Sequence, residues 1–571
     1  MKSTTRVFLA LAVIVISTAS RVGAEGISQG QTSALVERQW NVDGVIRKAL
    51  IHLSTKAANI VGTLYPSKTG TPFVSLIYPG THRYPTEASA LIVKFFKEYP
   101  ATPSASTPAA ANRQEAEVNA KPGPAPSSPP VSASREFTDL EFSNDYNAGT
   151  KDARGLPTGG TETTRLLAHQ GKLFASTGVW MDKPYFQAKG DQPWTGPQIL
   201  VKKSACDGWR VDMSFPKAIR IDAMTVATFT SDGAGRKLNP AISLLIASPS
   251  SKDTTTWTRN DATGQWTQSV VQKGLRGGLR SFCVHTDSHS GVPYLFAGSA
   301  TYAGGPCTGS IFRGVYDPAA PGKLRWAAEP EMSGTGRVMG MAEADGVLFA
   351  ACGIRSEEKQ SGGLFRRIDG EHPHWELVWR WPHLLRDRDE TEILRGLTAI
   401  PDPAGGKHEV LLGTCNYPGV VYRIDPARNF AVTTELNIRD YFAKAFGVAE
   451  LRGPCLSAYN DFLPVTDPNT GEKVLLLGVW INHPAGRTTA AGSSAWYLVR
   501  HADGTYSHGR VFDPAHPQPN PPRGLLATRT IEVSPFPDDA GRVLYFGGFD
   551  CAGIVSHNTA WIYKGTLREK P

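Results

Sequence analysis

The chain has 571 residues, a formal net charge of +8 and 40% hydrophobic residues. This length permits two or more domains, and the composition is typical of a soluble globular protein. The mild positive excess favours anionic partners. No run of Lys and Arg is interleaved with aromatic residues, which argues against a nucleic-acid-binding face.

The first 24 residues have the pattern of a secretory signal peptide. Lys2 and Arg6 precede an apolar run from Val7 to Ile16, and residues 22–24 provide a cleavage site after Ala24. A retained anchor helix is the alternative, but the run is shorter than the roughly 20 residues that span a bilayer. We therefore expect a secreted or periplasmic protein without stable membrane insertion after cleavage. The seven cysteines are an odd number, so at least one is unpaired within the chain.

Residues 39–99 form a small αβ segment of strand-like runs followed by a helical pattern. VDGVIRKALIHL (42–53) resembles the opening of the polyhydroxybutyrate-depolymerase and feruloyl-esterase group of α/β-hydrolases, and VSLIYPGTHRYPTEASALIVKFFKEY (74–99) resembles the closing part of that fold. The resemblance places His82 at the position of the catalytic histidine. No G-x-S-x-G nucleophile elbow lies between the two segments, so His82 has no serine to activate. The resemblance therefore implies a truncated, inactive hydrolase-like remnant.

Residues 100–135 are rich in Pro, Ala and Ser and contain nothing to bury. Such a composition is typical of an extended, semi-rigid tether. We expect the domain boundary here.

From residue 136 to residue 566 a unit repeats, most plainly at 336–369 and 394–425. Each unit has an arginine, an apolar run, a turn, a second apolar run ending in small residues, a loop, and an apolar strand ending in Arg. The period of about 55 to 60 residues predicts an all-β, seven-bladed β-propeller, with six or eight blades as alternatives. Neither the WD nor the kelch signature is kept, so no propeller subfamily is indicated. Seven arginines open the predicted first strands: Arg165, Arg220, Arg280, Arg337, Arg395, Arg452 and Arg529.

The other strands of each blade follow in step. The predicted second strands include KLFAS at 172–176 and VLYFGG at 543–548, and the predicted third strands include GLFRR at 363–367 and AWYLVR at 495–500. Only six residues follow the last third strand. We expect EFTDLEFS (136–143) to supply the outer strand of the last blade and so close the ring without an open sheet edge.

The opening arginines are expected to ring one mouth of the propeller tunnel, where long loops carry aromatic and polar residues. Guanidinium groups bind carboxylate, sulfate or phosphate bidentately, and aromatic faces suit sugar rings. The pattern therefore predicts a binding module for an anionic, carbohydrate-like ligand. The residues assigned to it are Arg165, Arg280, Arg337, Arg395, Arg529, Trp180, Tyr417, Trp480, His483, Asp550 and His557.

Two other functions stay open. A uronate polysaccharide lyase would use an arginine and a His or Tyr base, and is favoured over a glycosidase, which would need two carboxylates among Asp461, Glu532 and Asp550. In a protein-interaction scaffold the arginines would instead pair with carboxylates of neighbouring blades, such as Glu162, Asp222, Glu392 or Glu532. A sialidase Asp-box is absent, since SKDTTTW (251–257) lacks its glycine.

We expect no cofactor and no metal site. H-E-x-x-H is absent, and His285 and His289 lie in a strand-turn context in which an i, i+4 spacing does not place both on one face.

Overall fold

The computed structural model describes the chain as two compact units, 1–118 and 119–571. The boundary between them falls within the 100–135 segment. The described residues are 35–42, 45–52, 61–65, 73–77, 137–179, 195–301, 308–355, 360–380, 393–415, 419–451, 462–481, 484, 495–515, 527–549 and 558–568. Within these ranges, no helix has both the length and the apolar character that a membrane crossing requires.

The first unit contains two antiparallel hairpins. β1 (Leu35–Val42) pairs with β2 (Val45–His52), and β3 (Val61–Tyr65) pairs with β4 (Phe73–Ile77). His82 and the predicted helix lie outside the described residues. The string GISQG at 26–30 has the G-x-S-x-G form, but it precedes β1 and is not a turn between the two hydrolase-like segments.

Within its described residues, the second unit is all-β apart from one short α-helix and three 3-10 turns. It begins with β5 (Leu140–Asn147), after which strands form antiparallel groups in chain order. Group 1 is β6 (Glu162–His169), β7 (Lys172–Gly178), β8 (Gln198–Lys202) and β9 (Arg210–Ser214). Group 2 is β10 (Ile221–Ser231), β11 (Lys237–Pro249), β12 (Thr254–Arg259) and β13 (Trp266–Gln272). Group 3 is β14 (Gly277–Thr286), β15 (Pro293–Thr301), β16 (Gly309–Tyr316), β17 (Leu324–Trp326) and β18 (Met332–Thr335).

The remaining groups repeat this order. Group 4 is β19 (Val338–Ala344), β20 (Val347–Arg355), β21 (Gln360–Ile368) and β22 (His374–Arg380); group 5 is β23 (Arg395–Pro401), β24 (Glu409–Cys415), β25 (Val420–Asp425) and β26 (Ala431–Asn437), followed by helix α1 (Ile438–Ala445). Group 6 is β27 (Leu463–Thr466), β28 (Lys473–Val479), β29 (Ala495–Arg500) and β30 (Tyr506–Val511), and group 7 is β31 (Ala527–Val533), β32 (Val543–Phe549) and β33 (Ala560–Leu567) with β5.

The first and last parts of the second unit are joined in one sheet. β5 pairs with β33, the last strand of the chain, along the register from Leu140↔Leu567 to Asn147↔Trp561. A single pair, Phe549↔Glu162, links group 7 to group 1 and makes one eight-stranded sheet of the two. The fold is thus a set of small antiparallel sheets, an arrangement that fits a β-propeller.

The first strands of neighbouring groups contact one another. β6, β10, β14, β19 and β23 form a series of contacts in chain order, and β31 contacts both β27 and β6. Between groups 5 and 6, the backbone N–H of Phe462, just before β27, donates to the Thr398 hydroxyl at 3.0 Å. The first strands of neighbouring groups therefore lie side by side.

Apolar side chains fill the spaces between groups, which explains why the strand sequences are apolar on both faces. Leu412 of β24, Leu477 of β28 and Phe442 of α1 belong to one buried cluster. Between groups 6 and 7, the rings of Tyr497 and Phe546 lie 5.0 Å apart. Each group is thus held mainly by its neighbours.

Four of these spaces also contain a repeated polar cluster that the sequence analysis did not identify. A basic residue near the end of a third strand contacts a carboxylate near the outer edge of the preceding group, and an aromatic side chain from its own outer edge donates to the same carboxylate. We call these basic residues the closing cations. The four sets are Lys202, Asp145 and Trp209; Arg259, Asp212 and Trp266; Arg367, Glu331 and Trp375; and Arg500, Glu435 and Tyr506.

Three of the four sets share one register, in which the basic residue pairs with the aromatic residue across the third and outer strands. Arg259 pairs in register with Trp266, and Arg367 pairs with Trp375. The Arg259 Nε lies 2.8 Å from Asp212, and the Trp266 indole N–H donates to the same carboxylate at 2.7 Å. Buried charges are tolerated only when they are paired and hydrogen-bonded. Arg259, Arg367 and Arg500 therefore join neighbouring groups.

The predicted second and third strands lie within observed strands. The structure adds β12 (Thr254–Arg259) as the third strand of group 2, which the sequence analysis left unassigned. β12 contains most of the SKDTTTW string, which is thus part of a buried strand ending in a closing cation.

Candidate anion-binding site along the first strands

The first strands surround a cavity of about 260 Å³, which we call the central cavity. It is lined by residues of six of the seven groups: 165–167, 223–225, 281–282, 339–341, 462–464 and 530–532. Apolar side chains, including Met224 and Phe282, line it together with polar atoms. Arg165 and Glu532 are the two ionisable residues in this lining.

Each described first strand except β27 has a β-bulge near its start, where one extra residue faces the second strand. In β6, for example, Thr163 pairs with Thr177 but Arg165 pairs with Ser176, so that Thr164 is the extra residue. A bulge redirects the side chains around it. The extra residues are Thr164, Asp222, Arg280, Met339, one of Gly396 and Leu397, and Arg529.

The opening arginines do not occupy equivalent positions, which corrects the single repeat position expected from the sequence. Arg280 and Arg529 are the extra residues of their bulges, and Arg220 and Arg337 come two residues before theirs. Arg165 instead follows its bulge and lines the central cavity. A sequence repeat cannot reveal this difference in position, because the place of a bulge depends on how the first strand pairs with the second strand.

A continuous row of charged groups crosses four adjacent first strands. Glu162 contacts Arg529 of group 7 through Oε2 and Arg220 of group 2 through Oε1, the latter at 2.7 Å from Nε. Asp222 then contacts Arg220 at 3.5 Å and Arg280 of group 3 at 3.2 Å. Three guanidinium groups thus share two carboxylates, and all five residues are at least nine-tenths buried.

Arg337 and Arg395 continue the basic character on the first strands of groups 4 and 5. Arg395 opens β23 and is 2% exposed, and Arg337 directly precedes β19 and is half-buried. We call the row and these two residues together the arginine layer. The layer consists of Arg220, Arg280, Arg337, Arg395 and Arg529 with Glu162 and Asp222.

Two glycines leave space for the row, because a side chain at either position would collide with it. A Cβ atom on Gly178 would lie 2.6 Å from Oε1 of Glu162 and 2.9 Å from Cγ of Arg220, and one on Gly278 would lie 2.4 Å from Oδ2 of Asp222. The Ser250 hydroxyl donates to Asp222. Two glycines therefore allow the two carboxylates to sit between the strands.

Trp480, one of the predicted ligand residues, lies beside Arg529. The Arg529 guanidinium stacks over the Phe549 ring at 4.8 Å, and Trp480 meets the same ring edge to face at 5.8 Å. The backbone of Trp480 forms a bridge with Ala527, the first residue of β31. Among the described residues, the Trp480 indole N–H has no hydrogen-bond acceptor. The structure thus brings an aromatic face and a donor next to the arginine layer.

Glu532 lies on β31 and faces the central cavity. Burial raises the pKa of its carboxyl to about 7, although backbone N–H groups of Val533 and Ala168 hydrogen-bond to it. Glu532 was considered both as an arginine partner and as a glycosidase carboxylate. Its contacts are with backbone groups, and a carboxyl of this pKa is able to exchange a proton near neutral pH.

Several predicted residues lie outside the described part of the chain. These are Trp180, Tyr417, His483, Asp550 and His557, together with Arg452, Glu392 and Asp461. The assignments made to them stay predictions.

Asp402, His408 and Asp425 form the one cluster of potential metal ligands within the described ranges, with their ligand atoms within 4.8 Å of one another. His408 Nε2 lies 3.0 Å from Asp425, and Arg428 contacts both carboxylates. Asp402 also accepts from the backbone N–H groups of Ala404 and Gly406. Both carboxylates of the cluster therefore already have basic and, for Asp402, backbone partners.

His285, considered above as a metal ligand, is part of an ion-pair cluster with the closing cation Arg367. Its two ring nitrogens lie 2.7 Å from Glu343 and 3.1 Å from Asp369. Arg367 contacts Asp369, Asp287 and Glu331. His289 donates its backbone N–H to Asp287.

No protein-family model matches the chain, and no curated protein matches it. Solved structures that it resembles include a mutant of the Synechocystis ACO protein, at 11% identity and a TM-score of 0.31 over 63% of this chain and 74% of that chain. A GH43 β-1,3-galactosidase with galactodeoxynojirimycin matches at 10% identity and a TM-score of 0.25 over 51% of this chain and 98% of that one. Sqt1 of Chaetomium thermophilum matches at 12% identity and a TM-score of 0.30 over 66% and 100%. Scores this low do not establish a shared fold.

Proposed function

We propose that this chain is an exported seven-bladed β-propeller that binds an anionic, uronate- or sulfate-bearing glycan at its arginine layer. Export is proposed from the signal-peptide pattern of residues 1–24. The seven blades correspond to groups 1–7, and the ring closes where β5 joins β33. The consecutive contacts of the first strands and the register of β5 with β33 support this architecture.

The observation that carries the binding proposal is the concentration of guanidinium groups in the row Arg529–Glu162–Arg220–Asp222–Arg280. Three guanidinium groups lie together with two carboxylates in it, in a poorly solvated position. Arg337 and Arg395 add to the positive field on the next two first strands. Planar guanidinium groups at low dielectric favour carboxylate or sulfate ligands.

The glycan class is supported by the aromatic group beside the layer. Trp480 has a half-buried ring, and its buried indole N–H has no acceptor among the described residues; an aromatic ring and a donor are groups that sugar-binding sites use. Phe549 connects this aromatic site to Arg529. An acidic sugar therefore fits the arrangement better than inorganic phosphate or sulfate does.

A scaffold function is the second candidate, because Arg220, Arg280 and Arg529 each contact a carboxylate of the row. In that case the layer would serve only to join groups 7, 1, 2 and 3. The two functions predict different glycan affinities. In a scaffold, the arginines would contribute nothing to the affinity for glycans.

The test is calorimetric titration of the purified full chain with oligogalacturonate, a sulfated glycan and a neutral oligosaccharide, with absorbance of unsaturated product recorded in parallel. We expect binding of the acidic glycans only, weakened at least about tenfold by Arg280→Gln, the loss of one charge-assisted contact. Arg236→Gln is the matched control, since Arg236 is an exposed arginine outside the layer. Equal binding by both variants, or none by the wild type, would contradict the proposal. Accumulation of unsaturated product would reassign the protein as a lyase.

A further inference from the structure

The central cavity directly adjoins the arginine layer along the same strands. Arg529 and Arg280 are bulge residues, whereas the cavity lining begins one residue further along, at Thr530 and Ser281. A ligand held at the layer can therefore extend into the cavity.

The cavity is small and of mixed character. Drug-sized ligands occupy pockets of roughly 300–1,000 Å³, so a space of about 260 Å³ fits one sugar ring rather than a chain of rings. Its apolar walls include Met224, Met341 and Phe282. Its ionisable groups lie on adjacent strands, Arg165 on β6 and Glu532 on β31.

We propose that the central cavity binds a single uronic acid residue, with its carboxylate at Arg165 and a ring hydroxyl at Glu532, and that binding takes up a proton on Glu532. This rests on the proposed function, whose ligand class it narrows to a terminal acidic sugar. The Arg165 guanidinium stays charged at every physiological pH, so it can hold the carboxylate throughout. A neutral Glu532 carboxyl can donate to a hydroxyl, whereas its ionised form would repel the ligand's own carboxylate.

The direction of the pH effect follows from the Glu532 environment. Burial raises the pKa of Glu532 to about 7, so the carboxyl changes charge between pH 6 and pH 8. A bound anion would raise that pKa further, and binding would strengthen as the pH falls. Ionisable residues also lie on the other elements packed against β31: Glu162, Arg165 and His169 on β6, Lys473 on β28, Tyr497 and Arg500 on β29, and Tyr545 on β32.

Glu532→Gln isolates the contribution of Glu532 from those residues, since glutamine keeps the shape of the neutral carboxyl. The probe is galacturonate titrated into the full chain at pH 6, 7 and 8, with galactose as the uncharged comparison. We expect the wild type to bind galacturonate about fivefold more tightly at pH 6 than at pH 8, which corresponds to a pKa rise of about one unit, from about 7, on binding. Repeating the titration at pH 7 in buffers of different ionisation enthalpy should show net proton uptake.

Glu532→Gln should bind galacturonate with the same affinity at all three pH values, and Arg165→Gln should lose the preference for galacturonate over galactose. Affinity that does not depend on pH in the wild type, or pH dependence that survives in Glu532→Gln, would overturn the inference. If oligogalacturonate binds and Arg280→Gln weakens it while galacturonate alone does not bind, the inference fails and the proposed function stands. If no acidic glycan binds, both fail.

Discussion

Two sets of basic residues in the second unit differ in the carboxylates that they contact. Each closing cation lies near the end of a third strand and has a carboxylate from the preceding group, and an aromatic donor completes the set. Arg367 contacts three carboxylates. In the arginine layer, by contrast, three guanidinium groups share Glu162 and Asp222. The closing cations hold neighbouring groups together, and the arginine layer is the part of the fold that we propose binds a ligand.

The largest expected effect comes from breaking a closing set. Arg367→Met leaves Asp287, Asp369 and Glu331 without their common cation, and loss of one partner from a buried ion pair costs about 3–5 kcal/mol. Urea unfolding measures the change. The matched control is Arg366→Met, because Arg366 is 38% exposed and such pairs contribute about 0–1 kcal/mol. Equal losses of stability in Arg367→Met and Arg366→Met would contradict the distinction between a buried closing cation and an exposed arginine.

Glu162→Gln tests the arginine layer and should show two opposite effects. The change leaves Arg220 and Arg529 without their shared carboxylate, which we expect to lower the free energy of unfolding by about 2–3 kcal/mol. The same change adds positive charge to the layer and should tighten binding of oligogalacturonate. Thermal melts with and without the glycan measure both effects. Loss of stability without any gain in affinity would indicate a layer that is only structural.

The closing set around Arg367 should also make stability sensitive to acid. Burial alone would raise the pKa of Asp287, but Arg367 and Ser290 hold it below its ordinary value of 3.8; Ser288 and His285 lower that of Asp369 in the same way. A carboxyl whose pKa is lowered in the folded state stabilises the fold at pH values above its ordinary pKa. This stabilisation is lost as the pH falls through the lowered pKa. Stability should therefore decrease below about pH 4.

The same pH series on Arg367→Met tests whether Arg367 sets these pKa values. In Arg367→Met the buried carboxylates are destabilising when ionised, so its free energy of unfolding should rise as the pH falls from 7 toward 4. A parallel decline in wild type and variant would show that Arg367 does not set these pKa values.

The smallest effect is expected from the aromatic donors. Trp266→Phe removes the indole N–H that donates to Asp212 at 2.7 Å but leaves the contact between Asp212 and Arg259. A hydrogen bond to a charged group contributes about 1.5 kcal/mol or more. Trp257→Phe, in the neighbouring strand, controls for the loss of ring volume. An equal effect of both changes would show that packing alone is responsible.

The sequence predicts the strands well and the charged contacts poorly, for physical reasons. Strands covered on both faces need long apolar runs, so segments such as VLLLG and VLYFGG stand out without knowledge of their neighbours. A bulge depends on the partner strand, which is why Arg165 and Arg529 appeared equivalent although only one of them lines the cavity.

Ion pairs between groups join residues far apart in the chain. Arg259 and Asp212 are separated by 47 positions, and Arg529 and Glu162 by 367. One signal in the sequence was nevertheless present: a basic residue followed after six to eight positions by Trp or Tyr marks all four closing sets. Glu532 could not be singled out, because its raised pKa results from burial that only the folded chain produces.

The central claim is that the arginine layer binds an anion while the closing cations only hold the fold. The most direct measurement compares the dissociation constant for oligogalacturonate in Arg529→Gln and Arg259→Gln. We predict that Arg529→Gln weakens binding at least about tenfold, and that Arg259→Gln lowers the melting temperature without changing the affinity of the folded protein. Unchanged affinity in Arg529→Gln, or equal loss in both variants, would contradict this account.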